Sequence, residues 1–294
     1  MIIDFHTHTF PDKSSEKIVN HLAHIGCIPP HTDGSVIGLF SSMKEADIDY
    51  SVNLPVMTKP SQVEKVNSSL IQQQEYLLDM KIITFGGMHP NYTNYKEELL
   101  RLKQAGIPGI KLHPAYQNVD LDDIRMMRII DEASSQGLIT LVHAGIDIGI
   151  YDHNYSSVAH ILKLLKEAAP DKLVLAHMGN WGCWNEVESD LAGAPVYFDT
   201  AFSYGPVTPL PDAPRAPYIS YNLHPKDFVR LVRKHGTDKI LFGTDSPWEN
   251  QQDYVKRISH MDFTKEQWYE VIEKTVPPKT IEINKKAFDV GYHL

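Results

Sequence analysis

Cysteine is scarce in this sequence. Cys27 and Cys183 are the only two in 294 residues, and neither lies in a Cys-x-x-Cys pair. Two such thiols give no disulfide framework; they suit a reducing cytosol and read as small core filler. Long apolar runs are missing too: none reaches the ~18 residues of a membrane helix, so no membrane partner is expected. Positive charge is short, with 28 Lys and Arg against 37 Asp and Glu and a net charge of -9. An acidic chain has no general attraction for nucleic acid, which leaves a small molecule as the expected partner. A first strand that begins at Met1 leaves no signal peptide ahead of the fold, so a soluble, cytoplasmic protein is expected. No linker-like or low-complexity stretch divides the chain. Residues 1–294 are therefore expected to form one domain, and at 42% hydrophobic they can bury a sizeable core.

What is present is an alternation of short apolar runs with longer stretches of helical period. Strands are expected at Met1–Phe5, Tyr50–Val56, Lys81–Gly87, Gly109–Leu112, Leu138–Val142, Leu173–Ala176, Val196–Phe198 and Lys239–Phe242. Helices are expected at Asp12–Ile25 with Ser14 as cap, before Asp47, after a Ser61 cap, and at Tyr95–Ala105 and Asp122–Gln136. Further helices are expected at Ser156–Ala169, Trp184–Leu191, Pro225–His235, Thr264–Lys274 and Pro278–Phe288. Eight strands separated by helices, without strict alternation, predict an α/β fold: a parallel (β/α)8 TIM barrel. The segment Tyr204–Tyr218 carries five prolines and reads as a lid over the barrel mouth.

The polar residues fall where such a barrel has its active rim. His6 and His8 end the first strand, His143 follows the fifth, His177 the sixth, and Asp245 lies just beyond the eighth. His143 and His177 are 34 positions apart and Asp245 a further 68, which fits a repeating strand–helix unit. Parallel barrel strands all point one way, so these five side chains should converge on the C-terminal rim. Imidazoles with one carboxylate suit a divalent metal: zinc by preference, with manganese or iron as alternatives. Such a metal lowers the pKa of bound water to ~7 and supplies hydroxide at neutral pH.

His6-x-His8, His143, His177 and Gly243-Thr-Asp245 match, in order, the ligand pattern of the amidohydrolase superfamily, which the chain resembles. Gly109-Ile-Lys-Leu-His-Pro114, Leu175-Ala-His-Met-Gly179, Leu241-Phe-Gly-Thr-Asp-Ser-Pro247 and the final helix through Asn284 and Phe288 are similar to its amidohydrolase-related (amidohydrolase 2) branch. That branch holds hydrolases together with enzymes resembling aminocarboxymuconate-semialdehyde decarboxylase and the resorcylate decarboxylases. The resemblance implies one metal on His6, His8, His143 and Asp245, with His177 as acid/base and orienting group. It also implies an alternative: two metals bridged by a carboxylated Lys111, with His177 a ligand. A homodimer is a further expectation from the family.

Two reactions share this residue set. The leading expectation is metal-dependent hydrolysis of a small, anionic lactone, cyclic amide or ester, with Asp245 taking the water's proton and His177 steadying the oxyanion. The alternative is non-oxidative decarboxylation of an unsaturated or aromatic acid. A metal-dependent nuclease or phosphoesterase fits worse, because Gly86-Gly-Met-His-Pro90 stands where those nucleases have a glutamate ligand. A non-catalytic barrel fits worse because the five ligand positions are intact. Lys111 and Arg215 are candidate contacts for an anionic substrate, each with a structural alternative. His89 and His113, each before a proline, read mainly as strand exits. Asp199 orients loop backbone or touches substrate. Asp4 is an orienting residue, and Trp181 and Trp184 form an apolar wall or core. His21, His24 and His31 are surface residues.

Overall fold

The structure, a computed structural model, describes residues 1–211, 223–259, 278–283 and 285–286. Arg215, the centre of the proline-rich segment, the expected helix at 264–274, Asn284 and Phe288 lie outside these residues.

Strands and helices alternate as the apolar pattern requires. The strands are β1 (Ile3–Thr7), β2 (Tyr50–Asn53), β3 (Ile82–Thr84), β4 (Gly86–Gly87), β5 (Gly109–Leu112), β6 (Ile139–Val142), β7 (Leu173–Leu175), β8 (Tyr197–Asp199) and β9 (Ile240–Leu241). All pair in parallel and in sequence order, β1 to β3 in one sheet and β4 to β9 in another. β3 and β4 are halves of a single extended stretch divided at Phe85, so the chain carries one sheet into the next. The other edges also meet. Phe5 N donates to Phe242 O (2.8 Å), Asp245 N to His6 O (2.8 Å) and His8 N to Ser246 O (2.7 Å). With β3 and β4 counted as one, the eight expected strands stand in a TIM barrel, and the last of them brings Asp245 beside β1.

The larger helices are α1 (Ser15–Gly26), α2 (Val36–Glu45), α3 (Val63–Asp79) and α4 (Tyr95–Gln104). A single turn, α5 (Pro114–Gln117), and α6 (Ile124–Ser135), α7 (Val158–Glu167), α8 (Trp184–Glu186), α9 (Pro225–His235) and α10 (Gln251–Ser259) follow. Two expected caps are corrected. Ser14 stands before α1, but its hydroxyl donates to Pro11 O rather than accepting from the helix. Ser61 does not start α3: Pro60 opens a 3-10 turn, and Gln62 Oε1 takes the N–H groups of Thr58 and Lys59. The Trp184–Leu191 helix is a short α8 that widens into a π-helical turn, Val187–Leu191.

Val52, Leu54, Phe85, Leu141, Val174 and Ala176 fill the barrel, with Phe5 meeting Phe85 edge-on at 5.9 Å. Outside, β5, β6 and β7 pack against α4, α6 and α7 through Leu99, Ile110, Leu112, Met126, Ile130 and Ile161. Burial on both faces explains why these strands read as unbroken apolar runs. Apolar area removed from water at roughly 25 cal/mol per Å² is what sets the ring of strands in place. Both cysteines are half-buried rather than core. Among the described residues no helix is long and apolar enough to cross a membrane.

Candidate metal centre

The C-terminal ends of the strands bring the sequence candidates together. Asp245 Oδ1 lies 3.1 Å from His8 Nε2 and 3.5 Å from His6 Nε2, and the two Nε2 atoms are 3.2 Å apart. The other nitrogens of these rings are committed. His8 Nδ1 donates to Leu54 O (2.7 Å), and a carbonyl can only accept, so His8 Nε2 holds a lone pair or an added proton. His6 Nδ1 donates to Asp199 Oδ2 (2.9 Å), which turns His6 Nε2 inward as well. An imidazole nitrogen from each of His6 and His8 and a carboxylate oxygen of Asp245 thus face one point, an arrangement that a positive charge among them stabilises. Ligands about 2.1 Å from a common ion stand about 3.0–3.4 Å apart, close to the separations seen. The donor set fits a divalent metal.

Lys111 enters from β5. It is almost wholly buried, and its Nζ donates to His6 Nε2 at 3.1 Å. Burial lowers its pKa to about 8, against the pull of Asp199, Asp245 and Asp147. Those three carboxylates, when ionised, outnumber the one ammonium by two charges, the charge of one divalent ion.

His177 and His143 form the adjoining pair. His177 Nδ1 donates to Ala201 O (2.8 Å), so its Nε2 offers a lone pair, and this faces His143 Nδ1 at 3.0 Å. The His177 ring lies 5.3 Å from that of His6. Burial holds the pKa of His177 down at about 4 and pulls His6 and His143 well below the usual imidazole range. His143 is therefore near the His6–His8–Asp245 group but turned toward His177 and Asp147.

Two anchors fix the frame. Asp199 accepts from His6 Nδ1, His177 N (2.9 Å) and Ala201 N (3.1 Å), tying three strand ends to one carboxylate. Burial raises its pKa to about 7. Asp4 accepts from Thr244 N and Oγ1, from Gln251 Nε2 (2.7 Å) and from His6 N (3.2 Å), joining β1 to the turn that carries Asp245. His177 (φ 60°) and Asp245 (φ 71°) both sit in the left-handed region, which costs roughly 1–3 kcal/mol each and is retained where a site needs it.

The other candidates divide. His89 accepts from Asn91 N (3.1 Å), as a strand exit should. His113 instead stacks on His143 at 4.1 Å, and its Nε2 points at Asp147 Oδ2, 3.6 Å away. Trp181 is buried and packs with Phe202 and Val207, so the described start of the proline-rich segment lies against it. Trp184 Nε1 donates to His177 O (3.0 Å), and His21, His24 and His31 are exposed. Asp147 was not singled out from the sequence. No repeat spacing marks it, because it lies in the loop after β6 rather than at a strand end. A further group, Asp120, Asp122 and His160, is half-buried, with its acids paired to His153 and Lys163.

The amidohydrolase family model matches residues 3–278. The chain belongs to the amidohydrolase family. Solved structures of the same fold include an uncharacterised TIM-barrel protein from Bordetella bronchiseptica, 15% identical, covering 97% of this chain and 99% of that one, with a TM-score of 0.68. The 5-carboxyvanillate decarboxylase of Sphingomonas paucimobilis is 10% identical, with 90% and 94% covered and a TM-score of 0.63. A dihydroxybenzoic acid decarboxylase from a Polaromonas species, solved with manganese and the inhibitor 2-nitroresorcinol, is 12% identical, with 92% and 93% covered and a TM-score of 0.61. A search of curated proteins returns no significant match. These likenesses establish the fold, and the family is one of metal-dependent enzymes.

Proposed function

We propose that this amidohydrolase-family enzyme is a metal-dependent, non-oxidative decarboxylase of a small unsaturated or aromatic acid. The observation that carries it is the largely buried meeting of His6, half-buried His8 and Asp245 with the Lys111 ammonium on its edge. Such a point would hold a cation and still present positive charge to an acid. The decarboxylases among the structures of similar fold favour this reaction over the hydrolysis that the sequence put first.

His6, His8 and Asp245 would hold the ion, with His143 Nδ1 as a further donor. A divalent ion there supplies Lewis acidity toward substrate oxygens and lowers the pKa of bound water. Asp245 would carry a proton to the carbon that loses its carboxylate, so that the C–C bond breaks, CO2 leaves and C–H replaces it. His177 keeps its Nδ1 proton on Ala201 O and can accept and return a second proton at Nε2. The near-complete burial of His6, Lys111 and His177 keeps bulk water from competing for those protons.

Hydrolysis is the second reading, favoured by the placement of Asp245 beside His8, where a carboxylate can take a proton from water. One experiment separates them. The protein loaded with zinc or with manganese is incubated with a panel of lactones and of hydroxylated aromatic acids. CO2 released in step with loss of an acid supports the decarboxylase. Ring opening without gas overturns it in favour of hydrolysis. Asp245→Asn is expected to cut turnover by orders of magnitude, and an unchanged kcat removes Asp245 from its role.

A further inference from the structure

The loop after β6 carries a buried group that the reading above does not use. Asp147 Oδ2 lies 3.6 Å from His113 Nε2 and 3.9 Å from His143 Nε2, and all three residues are buried. The two rings stack with 14° between their planes. His143 Nε2 is buried without a hydrogen-bond partner. The trio first suggests a second metal site, but one feature speaks against it. His113 Nδ1 accepts from Tyr116 N (3.3 Å), so its Nε2 carries a proton and has no lone pair to give. What remains is two imidazole edges converging on one carboxylate oxygen.

We infer that Asp147 is a positioning residue: it holds the proton of His143 on Nε2 and so leaves Nδ1, the nitrogen facing His177, free to bind the cation. This rests on the metal reading given above. Without a cation, His143 Nδ1 donates to the lone pair of His177 Nε2. That leaves His143 Nε2 as a second buried lone pair facing an acceptor, which is the orphan seen. With Nδ1 given to a cation, the His143 proton would sit on Nε2, and the oxygen facing that atom belongs to Asp147. A carboxylate behind a metal-binding histidine selects its tautomer and raises its basicity.

The loop is built to hold Asp147 still. Its Oδ1 accepts from Gly149 N (2.8 Å), and its carbonyl accepts from Ile150 N (3.1 Å). Gly145 pairs with the backbone of Trp181 at φ 103°, where a Cβ would stand 2.1 Å from Trp181 N. His113, stacked on the far face, keeps the His143 ring in plane.

The test measures zinc affinity by chelator competition in wild type, Asp147→Ala and Asp147→Asn, together with the melting temperature of each metal-free protein. Asp147→Ala is expected to bind zinc about 10- to 100-fold more weakly, with little change in metal-free melting. Asp147→Asn, whose amide oxygen still accepts, recovers most of the loss. Normal wild-type binding with unchanged affinity in Asp147→Ala overturns this inference alone. A wild-type protein that holds no metal overturns the metal reading and this inference together. Should Asp147→Ala not fold, nitrogen NMR of the zinc-loaded wild type decides: the His143 proton is expected on Nε2, and a proton on Nδ1 overturns the assignment.

Discussion

Replacing Lys111 with methionine gives opposite results for the two ways this centre can be charged. Methionine keeps the length and apolar stem of lysine in a site that is almost wholly buried, and removes only the cation. In the one-metal arrangement that cation sits on His6 Nε2, 3.1 Å away, and repels any metal the same nitrogen binds. A unit charge and a divalent ion about 5 Å apart, at an effective dielectric of about 20, repel by about 7 kcal/mol before the lysine relaxes. If relaxation leaves a quarter of that, about 1.7 kcal/mol survives, so removing the charge raises metal affinity more than tenfold. In the two-metal arrangement Lys111 is a carbamate that bridges the ions. It then adds a fourth negative charge to Asp147, Asp199 and Asp245, a sum that two divalent ions neutralise. Lys111→Met there loses a metal and weakens the other. The assay is elemental analysis after loading with zinc in bicarbonate, with chelator competition for affinity. One metal per chain in both proteins, held more tightly by Lys111→Met, is the expected outcome. A fall from two metals to one refutes the single-ion charge balance.

Two further predictions concern the frame. Gly145→Ala forces a Cβ to 2.1 Å from Trp181 N at positive φ; it should cost about 3 kcal/mol or more in urea unfolding and weaken metal binding through the His143 loop. A stability loss under 1 kcal/mol would show that the loop yields easily. Away from the centre, His235 is buried between the Val196 carbonyl, which accepts from Nε2, and Gly193 N, which donates to Nδ1; burial lowers its pKa to about 4. The unfolded chain binds this proton near pH 6.5 and the folded one does not, so the contribution is intact above pH 6.5 and lost as pH falls toward 4. Between pH 7.5 and 5.5 the loss is about 1.3 kcal/mol. His235→Phe should remove that part of the pH slope, and an identical slope in the two proteins would refute the assignment.

The sequence carried the barrel and its rim for one physical reason. Strands buried on both faces must be apolar, so the first polar side chain past each run marks the strand's end, and parallel strands put all their ends on one side. His6, His8 and Asp245 were legible in that way, and so was the closeness of His143 to His177. That His143 turns toward His177 and Asp147 was not legible, because a ring's rotation depends on what lies behind it. Asp147 escaped notice since a loop residue has no period to betray it. His113 was read as a strand exit because His-Pro does turn a strand off; that it also stacks on His143 follows only from the spacing of β5 and β6. Ser61 failed as a cap because the proline before it starts its own turn.

The same geometry explains why the candidate ligands leave the reaction open. Decarboxylation and hydrolysis both need a cation near a carboxylate and a neutral imidazole, which Asp245 and His177 would supply either way. The reactions differ in where the proton goes: to carbon in one, from water in the other. A lysine buried on the edge of the centre bears on the charge of the substrate rather than on that choice, because its ammonium attracts an acid or an anionic lactone more than a neutral one. Lys111→Met therefore does more than count metals. If the substrate is a carboxylic acid, the variant binds metal more tightly yet raises KM for the acid at least tenfold, as loss of a buried charge-assisted contact requires. Tighter metal with an unchanged KM for every acid tried would place Lys111 outside substrate binding and favour a neutral substrate.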